Sequence, residues 1–511
     1  MNYFLGIDAG TSGIKAIVLD EKGSVCGSGY YECDIISPRP GWVEQNADDW
    51  WAACSKAIQK AVSTSGHGKD VSAISLSGQM QGCLPLGADL KPVRNCIIWL
   101  DQRATKQTEE IRALVGDEYS LRTTGNYCLN SFWAPKLLWI RENEPKLFDS
   151  IHHVLFAKDY LRFMLTGELA TEVSDASCSF LLDINKRAWS ADMIAKLGIP
   201  ADIVPKRLVE SCEIVGYLKP ELAQEWGMRS NVAVVAGGGD QPMAGIGLGI
   251  VEEGRIGATI GTSGVVFGCA DKPFIDKQDR ATLSLVHAVP DKWCYLGLVL
   301  SAGASFKWLR DTVFLEKKLE MAKAGEDVYN YMTSLAAKAP VGSEGLLYLP
   351  YLNGEKTPIN NPDARGVFFG LSVRHGLNEI CRSIMEGITF SMRDSIEICR
   401  EFSPVQEVCA NGGGAKSALW RQIQADIYNA NILSLNVDEG GVAGAAILAG
   451  YGTGYFSSIK EGCDSMLRVT SVTEPIAENV KRYDEYYHQA KALYASVKDN
   501  FSSLARLVEQ K

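Results

Sequence analysis

The sequence predicts two related α/β domains on either side of a cleft. At 511 residues the chain is longer than a single hydrophobic core usually serves. Strand-like apolar runs alternate with stretches of helical periodicity along most of its length. The turn Gly-Thr-Ser-Gly at residues 10–13 returns at residues 261–264, again between two strand-like runs. A separation of about half the chain indicates a duplicated domain rather than a short-period repeat.

The first half of the fold, residues 1–244, is predicted to open with three antiparallel strands joined by glycine-containing turns. Asn46 is a suitable N-cap for the first amphipathic helix. Helical segments dominate the region 101–197. The predicted strands are 3–7, 14–19, 24–33, 71–76, 95–98 and 232–235, and the predicted helices include 47–62, 135–141 and 158–165.

The second half, residues 245–511, starts by repeating the first with a strand, a turn and a strand over 255–267. Further strands are predicted at 293–298, 346–351, 405–410 and 432–435. Helices are predicted at 303–313, 377–400, 416–428, 442–449 and 474–509. Because no low-complexity linker separates the halves, we expect the two domains to be tightly joined.

Composition limits the possible functions. Apolar residues make up 46% and charged residues 22% of the chain, which is typical of a soluble globular protein. The net charge of −10 argues against nucleic acid as the main partner. It does not argue against ATP, because backbone N–H groups and a metal ion bind ATP locally.

The cysteines and the N-terminus predict a cytoplasmic protein. The fourteen cysteines are scattered without a CxxC pair, a pattern typical of reduced thiols rather than of disulfides or zinc sites. The N-terminal residues lack the basic start and apolar core of a signal peptide. Since no uncharged apolar run reaches about 18 residues, no membrane-spanning helix and no membrane partner are expected.

Asp240 stands where α/β proteins usually place their chemistry. It follows a β-branched run and three glycines, and Pro242 can open a helix after it. The glycines would let the backbone turn sharply and approach a ligand. The alternative is that Asp240 only caps that helix.

The two Gly-Thr-Ser-Gly turns are candidate phosphate sites. Their glycines let successive N–H groups and hydroxyls point at one anion, which favours Thr11, Ser12, Gly261 and Thr262 as contacts. Asp8 ends the strand before the first turn and could hold a hydrated Mg²⁺. Taken alone, the first turn could equally be an ordinary hairpin with a capping Asp. Two matching turns in duplicated domains would instead hold a polyphosphate between them, within reach of Asp240 as a general base.

Two further groups of residues complete the candidate site. Residues 411–417 form a glycine-rich turn that lacks the final glycine of a P-loop, since Ala415 stands there, but it could receive an adenine or ribose. Polar and aromatic side chains on loops of the first half could bind a polyol. The alternative is that the apolar members are core and the charged ones an exposed helix start. These residues are Gln79, Met80, Gln81, Trp99, Asp101 and Arg103.

Together these segments resemble the FGGY carbohydrate kinases, and among them the xylulose kinases. The similar segments are the Asp8, Asp240, Gly261 and Gly412 motifs together with 77–80, 134–139, 158–162, 349–355, 365–371 and the signature 366–386. The resemblance covers residues 3 to about 450. It implies a duplicated actin-like, ribonuclease-H-like ATPase fold. It also implies a transferase that uses ATP and Mg²⁺ to phosphorylate a ketopentose, D-xylulose by preference, and that is often a homodimer.

Carried over by position, the resemblance makes Asp240 the catalytic base and Asp8 the catalytic carboxylate near magnesium. It places Gly303, Lys307, Gly413, Gly414 and Ser417 near the nucleotide, and Met80, Gln81 and Gln241 at the sugar.

Three residues depart from the common pattern of the xylulose kinases. Gln81 replaces a frequent His, Gln241 a frequent Asn, and Trp133 a usually small residue. The first two lie at the sugar, so a kinase for another substrate, such as L-xylulose, ribulose or gluconate, is the alternative. A more distant alternative is an actin-like protein that is driven by nucleotide and has no small-molecule acceptor.

Overall fold

The computed structural model describes residues 1–437 and 439–509 and contains two seven-stranded mixed sheets. The strands of the first half are β1 (Tyr3–Ala9), β2 (Gly13–Asp20), β3 (Val25–Glu32), β4 (Glu44–Gln45), β5 (Val71–Gly78), β6 (Leu84–Leu86), β7 (Cys96–Ile97), β8 (His153–Leu155), β9 (Thr171–Glu172), β10 (Leu182–Asp183), β11 (Ala188–Trp189), β12 (Leu208–Val209), β13 (Ile214–Tyr217), β14 (Ala233–Val235) and β15 (Gly238–Gly239). Those of the second half are β16 (Arg255–Ile260), β17 (Gly264–Ala270), β18 (Leu283–Val286), β19 (Trp293–Val299), β20 (Leu347–Leu349), β21 (Val367–Phe369), β22 (Glu407–Gly412), β23 (Asn431–Leu435) and β24 (Val469–Thr473).

The helices lie mainly between these strands. In the first half they are α1 (Ala47–Ser65), α2 (Thr105–Val115), α3 (Asp117–Thr124), α4 (Trp133–Asn143), α5 (Pro145–Phe148), α6 (Ala157–Thr166), α7 (Val173–Ala176), α8 (Ala191–Lys196), α9 (Pro220–Glu225) and α10 (Asp240–Gly247). In the second half they are α11 (Ala302–Thr312), α12 (Leu315–Lys323), α13 (Val328–Ala336), α14 (Leu377–Arg400), α15 (Gly413–Lys416), α16 (Ala418–Tyr428), α17 (Gly440–Gly452), α18 (Ile459–Met466) and α19 (Ala477–Glu509).

The two sheets share one topology, which confirms the predicted duplication. The first has the order β13-β14-β5-β1-β2-β3, with β15 added to β5, and the second has the order β18-β19-β17-β16-β22-β23-β24. In the first sheet β1 is antiparallel to β2 and parallel to β5, while in the second β16 is antiparallel to β17 and parallel to β22. The central parallel strands of each sheet therefore end at one edge, where side chains from different strands can meet.

Two helices join the halves. Helix α17 comes from the second half but packs on β1 and β5 of the first sheet, and it also crosses α10. The crossing is close because it uses glycines: a Cβ on Gly444 would lie 1.9 Å from the backbone oxygen of Met243. A Cβ on Gly247 would likewise lie 1.9 Å from the oxygen of Gly440. This tight contact agrees with the absence of a linker in the sequence.

Most predicted elements are present, and the differences have local causes. Asn46 caps α1 through its side chain, and α14 has the predicted limits. The predicted helix 416–428 is interrupted at Ser417, whose hydroxyl accepts from the N–H of Trp420 and starts α16. The region 101–197 contains the short strands β8 to β11 besides its helices. Strands of two or three residues are too short to show a periodicity, so the sequence could not reveal them.

Each sheet has its own buried core. Apolar side chains of β1, β2 and β5 pack with α1 and α6, and those of β16, β17 and β22 pack with α14 and α16. In the described part of the chain, no helix is both long and apolar enough to cross a membrane.

Candidate active site

The ends of three strands in the first sheet bring the catalytic candidates together. Ala9 of β1 and Gly239 of β15 both pair with Gly78 of β5, and the N–H of Gln79 donates to the carbonyl of Ala9 at 2.9 Å. The predicted groups around Asp8, Gln79 and Asp240 therefore lie at one edge of one sheet, although far apart in sequence.

Contacts within the protein explain the glycines before Asp240. Gly237 has a φ of +79°, and a Cβ there would lie 2.0 Å from the carbonyl oxygen of Leu76. A Cβ on Gly239 would meet the side chain of Met80 at 2.7 Å. These contacts account for two of the glycines within the fold, and the approach of a ligand to this turn stays a prediction.

Asp240 is the first residue of α10, whose N-cap is Gly239. The alternative that Asp240 caps this helix is therefore wrong. The residue is half-buried at the edge of the sheet. Burial and, secondarily, the nearby charge of Asp8 raise the pKa of the Asp240 carboxyl to about 7. An accessible carboxyl with that pKa can accept a proton near neutral pH.

Asp8 lies beside Asp240 and beside the start of α17. The hydroxyl of Ser77 donates to its Oδ1 at 2.7 Å, and a Cβ on Gly441 would lie 3.3 Å from the same oxygen. Burial raises the pKa of Asp8, and the charge of Glu439 adds to this. Lys15 pairs with Glu439 across the two halves. Asp8 therefore lies at the junction between the first sheet and the second half.

A hydrogen-bond network holds the first glycine turn. The indole N–H of Trp99 donates to the hydroxyl of Thr11 at 2.9 Å, and the amide of Gln45 donates to the Thr11 carbonyl at 2.8 Å. Gln79 donates to the side chain of Gln45 at 2.7 Å. The side chain of Gln79 therefore supports the turn through Gln45. Trp99 is 40% exposed, and Ser12 is also exposed.

The residues after Gln79 lie next to the base. Met80 packs against Gly239, and Gln81 has a left-handed backbone with a φ of +69°. Gln241 follows Asp240 on α10 and is partly exposed. Gln81 and Gln241 therefore remain the candidates for contacting a sugar.

For Asp101 and Arg103, one of the two predicted alternatives is wrong. They are not an exposed helix start, because Asp101 is only 1% exposed and the Arg103 guanidinium is buried. The guanidinium binds both Asp101 oxygens, at 2.7 Å for the shortest contact, and also lies 2.8 Å from Glu44. It stacks over Trp42 at 4.1 Å. With these partners the pair supports the loop that ends in Trp99, and its contact with a sugar stays a prediction.

The second glycine turn meets the start of a helix. The N–H of Gly303 donates to the carbonyl of Gly261, and that of Ala304 to the carbonyl of Thr262, both at 2.9 Å. A Cβ on Gly303 would lie 2.2 Å from the Gly261 oxygen. The start of α11 is thereby held against the turn. Helix N-termini and glycine turns both favour anions.

The third glycine run lies beside the second. Gly412 pairs with Ile260 in register, and a Cβ on Gly414 would lie 2.7 Å from the Ile260 side chain. Gly413 is exposed, and Ser417 caps α16. Lys307 lies one turn along α11 from Gly303, is largely exposed, and pairs with Asp311 at 3.1 Å. The predicted nucleotide residues thus share the edge of the second sheet, with Lys307 and Ser417 farther out.

A fully buried charge cluster lies beneath β15. Lys158 Nζ is 2.8 Å from Asp159 and 3.1 Å from both Glu172 and Asp175, and the Arg162 guanidinium is 2.9 Å from Asp159. Ser174 connects this cluster to the base, since its hydroxyl donates to Glu172 at 2.9 Å and accepts from the N–H of Gly239 at 3.1 Å. The cluster therefore supports the residue that precedes Asp240.

Sequence reasoning missed three supporting side chains. Gln45 and Ser174 lie in segments with no recognisable motif, and nothing in their spacing indicated a link to the site. Lys136 is fully buried, and burial lowers its pKa to about 8. The one available signal was a lysine in the otherwise apolar part of α4.

The described residues contain no group of three or more His, Cys, Asp or Glu side chains arranged to hold a metal ion. Asp8 is the carboxylate whose charge acts on the candidate base Asp240. One or two carboxylates suit Mg²⁺, which keeps several waters and takes further ligands from phosphates.

Family models match most of the chain. The N-terminal domain of the FGGY family of carbohydrate kinases matches residues 3–247, and its C-terminal domain matches residues 257–453. A protein of Bacillus subtilis (strain 168) named xylulose kinase is 38% identical over 98% of both chains. The xylulose kinase of Escherichia coli (strain K12) is 38% identical over 87% of this chain and 89% of its own.

Solved structures agree with this match over the whole fold. A xyloylose kinase from Brucella ovis superposes with a TM-score of 0.89 at 33% identity and covers 98% of this chain and 100% of its own. A gluconate kinase from Lactobacillus acidophilus superposes with a TM-score of 0.90 at 25% identity over 98% and 99% of the two chains. The duplicated sheets, the matching glycine turn in each half and these matches lead to one conclusion: this chain belongs to the FGGY family of carbohydrate kinases.

Proposed function

We propose that this protein transfers the γ-phosphate of ATP to a terminal hydroxyl of a ketopentose, D-xylulose by preference. The observation that carries the proposal is the half-buried Asp240 carboxyl, whose pKa of about 7 suits a general base, at a sheet edge beside a glycine turn. The substrate is supported by relatives named xylulose kinase at 38% identity.

Asp240 would accept the proton of the attacking hydroxyl. Phosphoryl transfer demands mainly positioning and charge neutralisation, so the rest of the site would hold the phosphates. The turn with Thr11 and Ser12 would do this from the first half, and the turn with Gly261 and Thr262 from the second. The N-terminus of α11 adds a favourable dipole at the second turn.

Asp8 is the residue that would hold Mg²⁺. Its Oδ1 accepts from Ser77, and both burial and Glu439 raise its pKa, so a nearby cation would relieve an unfavourable negative charge. Bound there, Mg²⁺ would screen the phosphate charges. Asp8 itself would orient the ion, and without the ion its negative charge helps to raise the pKa of Asp240.

The adenosine would lie against the third glycine run. Gly413 is exposed at the end of β22 and the backbone of Gly414 packs on Ile260, so no side chain of these two residues would obstruct the adenosine. Ser417 and Lys307 flank it and could contact the nucleotide from the starts of α16 and α11.

A kinase for a sugar acid is the second candidate. Gln81 and Gln241, which follow Met80 and Asp240 in sequence, are the residues that depart from the common xylulose kinase pattern. The similar fold of a gluconate kinase adds weight to this alternative. A protein without a sugar acceptor is less favoured, because the family match and the relatives named xylulose kinase support a sugar kinase.

A panel of sugars tests the proposal. The purified protein is incubated with Mg²⁺ and ATP, and ADP release is measured with D-xylulose, L-xylulose, D-ribulose, L-ribulose, gluconate and glycerol. We expect the largest kcat/KM with D-xylulose. A larger value with gluconate would favour the second candidate, and ATP turnover that no sugar stimulates would contradict a kinase.

We further propose that the enzyme is a cytoplasmic homodimer. The fourteen cysteines, all in the described part of the chain, are free thiols, which is typical of a reducing compartment. The dimer is what family membership leads us to expect. Sedimentation equilibrium would test it, and a single species of 55.7 kDa would contradict it.

A further inference from the structure

Helix α4 holds the sugar-side loop from beneath with two side chains. The ammonium of Lys136 donates to the carbonyl of Gln81 at 2.8 Å and to that of Ile97 at 3.2 Å. One turn earlier, the indole N–H of Trp133 donates to the carbonyl of Gly82 at 2.6 Å. Both side chains are fully buried, so neither can contact a ligand directly.

The ammonium group connects two loops that carry different parts of the site. Gln81 follows β5, whereas Ile97 belongs to β7 and precedes Trp99 by two residues. The N–H of Cys83 also donates to the Ile97 carbonyl, at 3.0 Å, so the two loops meet at one oxygen. A shift of the ammonium group would therefore move Gln81 and the segment before Trp99 together.

The backbone of Gln81 needs such support. A φ of +69° is unfavourable for a residue with a Cβ and persists only where surrounding contacts fix it. The hydrogen bond from Lys136 to the Gln81 carbonyl is one of these contacts.

The lysine is also costly to bury. Burial lowers its pKa to about 8, and although Cys83, Cys96 and Asp101 favour the charge, Arg103 opposes it. No carboxylate in the described part of the chain lies within ion-pair distance of Lys136, unlike the other fully buried lysine, Lys158. An apolar residue would fill the same space at a lower free-energy cost of burial, which indicates that the ammonium has a role besides packing.

We propose that Lys136 is a positioning residue for the sugar: it fixes Gln81 and the loop before Trp99 in one arrangement, and Trp133 completes the anchor at Gly82. This inference rests on the proposed kinase function. It assigns the role to the ammonium group and to the indole N–H, not to the aliphatic or aromatic bodies of the side chains.

The test compares Lys136→Met and Trp133→Phe, which keep most of the volume, with Ile140→Val, a buried change on the same helix at a side chain that makes no hydrogen bond to the loop. We expect Lys136→Met to raise the KM for the sugar about tenfold or more, since two bonds from a charged donor are lost. Trp133→Phe should raise it about threefold to tenfold. The KM for ATP should change less than about twofold, and sugar affinity without ATP, measured by calorimetry, should fall by the same factor as the KM rises.

Several results would overturn the inference. One is an unchanged sugar KM in Lys136→Met, and another is equal losses for sugar and ATP, or losses that Ile140→Val reproduces. If Lys136→Met does not fold, Trp133→Phe decides in the same way. Failure of the kinase function itself is distinguishable, because the unsubstituted protein would then release no ADP with any sugar.

Discussion

Asp240→Asn should lower activity and raise stability, because the carboxyl that serves the reaction is unfavourable for the stability of the fold. The amide keeps the size of the side chain but cannot accept the proton. General base catalysis contributes about 10²–10⁴-fold in rate, so we expect kcat to fall by about that factor. The KM for ATP should change little, since the nucleotide candidates lie mainly on the second sheet.

The stability of the same variant should rise at neutral pH. The pKa of Asp240 is raised from its ordinary value of 3.8 to about 7. A carboxyl with a raised folded-state pKa stabilises the fold below its unfolded pKa, and that contribution is lost as the pH rises toward 7. Three pKa units correspond to a ceiling of about 4 kcal/mol, and partial exposure reduces the expected gain for Asp240→Asn at pH 8 to about 1–2 kcal/mol.

Thermal unfolding at several pH values tests this second effect. At pH 8 the midpoint of Asp240→Asn should exceed that of the unsubstituted protein by about 1–2 °C, and the difference should vanish near pH 4. Asp394→Asn is the matched control. Asp394 is buried with a raised pKa too, but it accepts from Tyr487 on the C-terminal helix, so its replacement should leave kcat nearly unchanged.

Two results would refute the reasoning on Asp240. Sugar phosphorylation close to the unsubstituted rate would remove its role as the base. A lower midpoint at pH 8 in an otherwise folded Asp240→Asn would mean that the ionised carboxyl has a stabilising partner, and its raised pKa would then be wrong.

Three further predictions concern the surroundings of the base. With a pKa of about 7, Asp240 should give a kcat/KM for the sugar that is about tenfold lower at pH 6 than at pH 8. Asp8→Asn should lower activity and also move the midpoint of this pH profile to lower pH, because it removes a charge that raises the pKa of Asp240. Ser174→Ala, which removes the acceptor for the N–H before the base, should lower kcat about fivefold to tenfold with unchanged sugar affinity in calorimetry. Gly303→Ala should raise the KM for ATP at least about tenfold and leave sugar affinity unchanged, because the new methyl would lie 2.2 Å from the backbone oxygen of Gly261. A KM for ATP equal to that of the unsubstituted protein would contradict this prediction.

The sequence predicted the frame of the molecule because its signals are local and repeated. The duplicated Gly-Thr-Ser-Gly turns predicted two related domains, and the structure contains two sheets of equal topology. The long run of helical apolar periodicity predicted both ends of α14. The capping side chain of Asn46 located the start of α1. Residues 96–97 and 347–349 were predicted as longer strands, since an apolar run does not reveal where hydrogen-bond partners end.

The residues of the candidate site could be predicted only where they lie in a recognisable sequence motif. Asp8, Thr11 and Asp240 follow recognisable strand–turn patterns, and the structure brings them to one edge. Asp101 and Arg103 look the same in sequence whether they bind a ligand or each other. Only the positions of Glu44 and Trp42, some sixty residues earlier, decide that they form an internal pair. Such long-range choices of partner leave no periodicity in a single sequence.

The buried charges beneath the site explain why Asp240 keeps a high proton affinity. Lys158 is the nearest buried lysine to this loop, and a free ammonium there would lower the pKa of the base. Its charge is taken up by three carboxylates instead, and burial raises the pKa of Asp175 well above its usual range. The Arg162 guanidinium adds a second cation beside Asp159. Through Ser174 the cluster can fix the position of Gly239 without placing a free positive charge near Asp240. The loop before the base is therefore held in place without lowering the pKa of Asp240.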